Sequence, residues 1–431
     1  MMLATHHIPG LVLREHSFDL PLDYANPGQT LKVYVREVVA PGREDANLPY
    51  LVYFQGGPGF GAPRPLSPSG WLGRALQDYR VLLLDQRGTG RSTPITAQTL
   101  AHLPNAQAQS QADYLMHFRA DAIVRDAETI RQQLIGEQPW TILGQSYGGF
   151  CAMHYLSAAP QGLRQVLITG GIPSLWRPTD DVYRATYRRV ADKNHLYYQR
   201  YPGDVVRVRA IVDHLLQNDV HLPGGGQLTA RRFLQLGLQF GMSDGYEAVH
   251  YLLEDAFVAG PQGQALLNWN FLCHLEQMQN FDTNPIYALL HEACYTQGMA
   301  SQWSAERLLP EFPAFALEGT GPVLFTGEMV YPWMFDCYTQ LRPLKAVAEL
   351  LAQTDAWPAL YDLERLSHNT VPVAAAVYYD DMYVPCEFSQ ETARWVPNMR
   401  LWVTNEYEHN GLRADGGAVL GRLLAMARGE V

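Results

Sequence analysis

The chain has 431 residues, 47% of them hydrophobic and 17% charged, with a net charge of −11. That length exceeds one ordinary domain and predicts a core with a large insertion, or two domains. The acidity repels phosphate backbones and argues against a nucleic-acid partner, and no apolar run reaches the ~18 residues of a membrane span.

The first elements are strands. His16–Leu22 and Leu31–Val39 read as a hairpin closed by the turn Tyr24-Ala25-Asn26-Pro27-Gly28. Leu48–Phe54 and Arg80–Leu84 are short apolar runs bounded by Gly and Pro, the pattern of buried parallel strands. Residues 111–136 have helical spacing and stop at Gly136. A strand at Thr141–Leu143, a turn at Gly144–Gly148, a helix to Ala159 and a strand at Gln165–Gly170 follow. This alternation predicts an α/β fold with a mostly parallel sheet. From about Ser174 to Thr370 strand signals nearly vanish, and helices are expected over 181–217, 229–258 and 285–307. Alternation resumes with a strand at Pro372–Tyr379, a helix at Ser389–Trp395, a strand at Arg400–Thr404 and a last helix. The expected division is a catalytic α/β domain of 1–173 and 371–431 and a helical cap of 174–370. Such a cap would sit over the carboxyl ends of the strands.

Five cysteines, Cys151, Cys273, Cys294, Cys337 and Cys386, are odd in number and form no CxxC pair. Neither a disulfide framework nor a cysteine zinc site is expected. The opening MMLATHHIPGLVLREH lacks the basic start and apolar run of a signal peptide, so a reducing cytoplasm is the expected compartment.

Gly144-Gln145-Ser146-Tyr147-Gly148 is a G-x-S-x-G match between a strand and a helix. That context is what a nucleophile elbow needs: a sharp turn exposes the hydroxyl, and glycines avoid collisions with neighbouring backbone. The following helix points its N-terminus at a developing oxyanion. A serine nucleophile needs a base, and the base needs an orienting carboxylate. Asp380-Asp381 follows the strand VAAAVYY, and Glu408-His409-Asn410-Gly411 follows the strand RLWVT, in the chain order Ser, acid, His. Gly56-Gly57-Pro58-Gly59 follows YLVYFQ and lets backbone N–H groups approach an oxyanion; no Lys-Ser/Thr follows it, which rejects a phosphate loop. Asp85-Gln86-Arg87-Gly88-Thr89-Gly90-Arg91-Ser92 reads as a structural loop held by Arg–Asp pairs. Arg184, Arg188 and Arg189 read as a solvated helix face, and no HExxH or similar spacing suggests a metal.

These motifs, with Asp381-Met382-Tyr383-Val384-Pro385, resemble the proline iminopeptidase (prolyl aminopeptidase) family of serine peptidases, in its longer, large-capped members. The resemblance implies the α/β-hydrolase fold and a cofactor-free enzyme that releases an N-terminal residue, preferably proline, from small peptides through an acyl-enzyme. It places the nucleophile at Ser146 and the base at His409. It selects Asp381 over Asp380, because the family's acid precedes a proline by four residues. It assigns the oxyanion hole to the backbone N–H groups of Gly57 and Tyr147. This chain has Gln55 where the family usually has His, and Tyr147 where shorter members have Trp. The family reads the substrate amine with cap glutamates. Glu292 resembles one through its Glu-x-x-Tyr spacing, with Glu254 and Glu328 as further candidates.

Two rival readings are a carboxylesterase or carbon–carbon hydrolase on the same fold, and a binding protein that kept the fold without catalysis. The second has no use for a Ser, Asp and His set.

Overall fold

The computed structural model describes residues 2–319 and 321–431. The strands are β1 (Met2–Ile8), β2 (Leu11–Pro21), β3 (Thr30–Val39), β4 (Tyr50–Phe54), β5 (Arg80–Asp85), β6 (Trp140–Gln145), β7 (Leu163–Thr169), β8 (Phe257–Ala259), β9 (Ala265–Leu267), β10 (Val373–Tyr378) and β11 (Met399–Thr404). Among the described residues, nine of them form one sheet in the order β1-β2-β3-β5-β4-β6-β7-β10-β11. The pairs β1–β2, β2–β3 and β3–β5 are antiparallel; every later pair is parallel. The fold is thus the α/β-hydrolase arrangement expected, a mostly parallel sheet whose first strands form an antiparallel edge.

Strand side chains alternate between faces, and the sheet has a core on each. Val52, Phe54, Ile142 and Val166 pack under the helices Ala120–Ile135 and Tyr147–Ala158. Leu51, Tyr53, Leu143, Leu167 and Ala374 pack under the helices Gly70–Ala75 and Gly416–Arg428. Strands buried on both faces explain the continuous apolar runs of β4, β5 and β10. Each fully buried Val, Leu or Ile contributes about 1.5–3 kcal/mol against exposure.

Between β7 and β10 the described chain consists of helices and connecting loops, with the small hairpin β8–β9. Its longer helices are Thr179–Arg200, Asp204–Gln217, Gly245–Glu254, Trp269–Gln277 and Lys345–Gln353. Several expected helices are broken. The run 111–136 splits into Ala108–Leu115, a 3-10 turn Met116–Phe118 and Ala120–Ile135. The break is Arg119, with extended backbone at φ −86° and ψ 179°. Its buried guanidinium donates to the carbonyls of Ala293 (3.2 Å), Thr296 (2.8 Å) and Pro358 (2.7 Å). A contact with distant chain therefore overrides helical propensity there. The run 181–217 breaks at Tyr201-Pro202-Gly203. The run 229–258 becomes two helices joined by the 3-10 stretch Gln235–Gly241, then enters β8. Strand β1 is unforeshadowed: it pairs with β2 alone and is mostly exposed, so it carries no hydrophobic alternation. No helix among the described residues is long and apolar enough to cross a membrane.

Candidate active site

Strand β6 delivers Ser146 to the carboxyl edge of the sheet. The turn forces Ser146 into a strained conformation, φ 54° and ψ −125°. Its amide donates to the Thr169 carbonyl at 3.0 Å, and its carbonyl accepts from the Gly149 amide at 2.7 Å. A Cβ at Gly148 would collide with the Phe54 carbonyl, and one at Gly144 with the Gly148 carbonyl. The helix Tyr147–Ala158 begins after Ser146, and no side chain caps its first amides. Across from it, the loop after β4 comes close: a Cβ on Gly56 would stand 3.0 Å from the Ser146 Cβ. Gly57 and Tyr147 line the same cavity as Ser146.

Asp381 follows β10 and is 1% exposed. Its Oδ1 accepts the amides of Tyr383 (2.8 Å) and Val384 (3.1 Å), which leaves Oδ2 for His409 Nδ1 at 2.7 Å. A carboxylate only accepts, so Nδ1 carries the proton and Nε2 is left with its lone pair. The neighbouring Asp380 is turned outward, its side chain 44% exposed and 3.7 Å from Arg189. His409 follows β11. Burial pulls its pKa down, but the charge and hydrogen bond of Asp381, with Glu328 and Glu408 behind, raise it above the ordinary value. Gly170 and Gly171, after β7, join the two sites. A Cβ on Gly170 would lie 3.0 Å from His409 Nδ1, and one on Gly171 would collide with the Ser146 carbonyl. The structure therefore brings Ser146, Asp381 and His409 to one sheet edge, beside Gly57 and Tyr147.

The insertion supplies the opposite wall. His291, Cys294, Tyr295 and Glu328 face Ser146 across a cavity of about 10 Å³, the space of roughly one water. Glu328 Oε1 accepts the Tyr287 hydroxyl at 2.5 Å. The other two glutamates lie elsewhere. Glu292 is buried beside a separate void with Ser301, Trp303 and Trp357. Its Oε1 accepts the Ala305 amide at 3.3 Å, and burial, opposed by a hydrogen bond from Ser301, pushes its carboxyl up to about 7. The reason is local: residues 291 and 292 sit on successive steps of a 3-10 turn, about 120° apart. His291 takes the cavity side and Glu292 the other. Glu254 has a 47% exposed side chain and lies 3.5 Å from His250 on its own helix.

The insertion also holds the histidine loop. The His409 amide donates to the Gly241 carbonyl at 3.1 Å. Asn410 Oδ1 accepts from the Ser243 amide (3.0 Å) and hydroxyl (2.7 Å). Lys193 Nζ, 2% exposed, pairs with Glu408 Oε1 at 2.6 Å, and the Tyr383 hydroxyl donates to the Leu238 carbonyl. The sequence carries no signal for these contacts, because each joins residues far apart in the chain. The loop 85–92 is structural as expected: Asp85 accepts Arg64 at 2.6 Å, and Arg87 holds Asp126 at 2.5 and 2.7 Å. Arg177, Arg184, Arg188 and Arg189 line a larger cleft of about 570 Å³ with Asp181, Asp192 and Glu387, where acids balance most of the positive charge.

The chain is similar to known proteins. A family model described as the alpha/beta hydrolase fold matches residues 49–412. A proline iminopeptidase of Aeromonas sobria is 50% identical over 431 residues, covering 99% of this chain and 100% of the relative. The proline iminopeptidase aneH of Aspergillus aculeatus is 36% identical, covering 97% of this chain and 94% of the relative. Among solved structures, the proline iminopeptidase of Mycobacterium smegmatis matches at 15% identity with a TM-score of 0.44, over 96% of this chain and 100% of that one.

Proposed function

Because the chain belongs to the proline iminopeptidase family of α/β hydrolases, we propose that it releases N-terminal proline from peptides through an acyl-enzyme on Ser146. One observation carries the exopeptidase reading: a carboxylate, Glu328, lines the same cavity as the serine. Peptide ends bear a cationic amine, and a carboxylate reads it strongly where water is excluded.

The steps follow from the residues. His409 Nε2 takes the proton from Ser146 Oγ as the oxygen attacks the carbonyl carbon of the first residue. The oxyanion accepts the backbone N–H groups of Gly57 and Tyr147. The His409 imidazolium, held by Asp381, then gives its proton to the departing amine of the shortened peptide. Water, activated by the same imidazole, attacks the acyl carbon and frees the amino acid and Ser146. Residues 174–370 act as a cap that admits a chain end and excludes a chain middle, over a catalytic domain of 1–173 and 371–431. Five free cysteines suit a reducing compartment, the cytoplasm.

The test compares proline, alanine and leucine naphthylamides, N-acetylprolyl naphthylamide and a neutral nitrophenyl acyl ester. Proline naphthylamide should be cleaved best and the acetylated form poorly. Removing one partner of a desolvated charge pair costs about 2–5 kcal/mol, so Glu328→Gln should lose about 30-fold or more in kcat/KM on prolyl naphthylamide. It should lose far less on the ester, which has no amine. Equal losses on both would make Glu328 structural, and no loss would return Glu292 to first place.

A further inference from the structure

An oxyanion hole works only if its donors hold still, and one of the two candidate donors here lies in a glycine-rich segment. The chain leaves β4 at Phe54 and continues as Gln55-Gly56-Gly57-Pro58-Gly59. Gly57 sits at φ 125°. Two successive residues without a Cβ leave the direction of the Gly57 N–H to be fixed by contacts from outside the segment.

Those contacts come from the loop after β5. Strand β5 runs parallel to β4 with Tyr53 opposite Leu83, so the residues that follow the two strands leave the sheet side by side. Gln86 is 1% exposed, and its Nε2 donates to the Gln55 carbonyl at 3.0 Å. Only the NH2 end of an amide bonds a carbonyl, so the partner sets the orientation of the side chain. The Gln86 carbonyl accepts the Thr89 amide (3.0 Å) and hydroxyl (2.7 Å), which fixes the base from which the side chain reaches. Gln86 Oε1 is buried with no hydrogen-bond partner among the described residues. An orphaned buried oxygen costs stability, so the bond to Gln55 is what this side chain contributes. The preceding residue holds the other end of the segment. Asp85, fully buried, accepts the Ala62 amide at 2.9 Å on Oδ1 and the Arg91 amide at 2.8 Å on Oδ2. Between the two ends, the Phe60 ring meets Tyr287 of the insertion edge-on at 5.2 Å.

Resting on the reading of Gly57 as an oxyanion donor, we propose that Gln86 is a positioning residue: its bond to the Gln55 carbonyl aims the Gly57 N–H at the oxyanion. The Gln55 carbonyl and the Gly56 amide share one rigid peptide plane. A donor on that carbonyl therefore fixes the entry to the two glycines, while Asp85 fixes the exit. Loss of the bond lets the Gly57 N–H swing away from the hole. The bound substrate has no oxyanion and does not feel this, whereas the transition state does.

Gln86→Met tests the role, because it keeps the buried volume and removes both the donor and the orphaned oxygen. Its thermal unfolding should stay within about 3 °C of wild type. Loss of a whole oxyanion donor costs about 10²–10³ in kcat, so a misaimed one should cost about 10–100-fold. That loss should fall equally on prolyl naphthylamide and on the neutral nitrophenyl ester, with KM within about threefold. The boronic acid analogue of proline, whose adduct with Ser146 places an oxygen in the hole, should bind more weakly by about the same factor as kcat falls. Gln86→Leu, a second apolar side chain without a donor, should behave alike and serves if the Met variant fails to fold. An unchanged kcat would overturn the role of Gln86. So would a loss carried in KM or confined to the amide, a fall in kcat with unchanged boronate affinity, or a loss accompanied by unfolding more than about 10 °C lower. Ester cleavage without amide cleavage by wild type would overturn the aminopeptidase reading alone, because the ester uses the same hole and still decides the role of Gln86.

Discussion

At the scale of single residues, the two neighbouring aspartates give the sharpest contrast. Asp381 is buried with both oxygens engaged, while Asp380 points to solvent. Asp381→Asn should cost about 10³–10⁴ in kcat, because an amide favours the wrong imidazole tautomer, whereas Asp380→Asn should stay within about threefold. The pH profile gives an independent readout. In the proposed mechanism only the unprotonated imidazole accepts the Ser146 proton, so kcat/KM should fall as pH drops through the His409 pKa. That pKa is raised, with Asp381 the leading upward cause, so the acid limb should lie above the ordinary histidine value of about 6.5. It should move to lower pH in Asp381→Asn; an unmoved limb would take His409 out of the mechanism. Ser146→Ala should abolish fluorophosphonate labelling and lower turnover by at least about 10³-fold, with thermal unfolding unchanged. Residual activity within tenfold of wild type would remove Ser146 as nucleophile. The candidate catalytic positions were legible because each follows a strand end and sits in a short motif. The cavity-facing residues of the insertion were less so, since Glu292 matches a motif while Glu328 and His291 are chosen by which side of a turn faces inward.

At the scale of elements, His409, the proposed general base, follows a strand of the sheet but is braced by the insertion. Gly241, Ser243 and Lys193 all hold residues 408–410. The Lys193–Glu408 pair is the part of this brace that can be weighed. Burial raises the Glu408 carboxyl pKa and Lys193 lowers it. Removing the ammonium leaves a partly buried carboxylate unpaired, a change that costs about 3 kcal/mol. Lys193→Met should therefore lower stability by about that much in urea denaturation and reduce kcat more than it raises KM. The double variant Lys193→Met with Glu408→Leu should regain most of the stability. A single variant as stable as wild type would mean that the pair braces nothing. Broken helices follow the same logic. Arg119 and the 3-10 stretch Gln235–Gly241 leave regular helix where distant chain needs a donor or a carbonyl, and periodicity is blind to that.

At the scale of the whole molecule, one apolar core runs through both parts of the chain. Val52, Phe54 and Ile168 of the sheet share a continuous cluster with Tyr187, Val190, Phe233 and Phe325 of the insertion. Arg119 adds hydrogen bonds from the sheet's covering layer to insertion carbonyls. Scanning calorimetry should therefore show one cooperative transition with equal calorimetric and van't Hoff enthalpies; two separated transitions would mean two independent cores. By itself the sequence determined the parallel sheet, the elbow at Ser146 and the family resemblance. Apolar runs, glycine spacing and strand-turn-helix order are local, and they follow from steric and hydrophobic rules that act within a few residues. Only the tertiary structure decided how the Arg119 side chain, the brace on His409 and the wall of Glu328 and His291 are placed. These depend on hydrogen bonds and charge pairs between residues tens to hundreds of positions apart, whose geometry exists only once the insertion has packed onto the sheet.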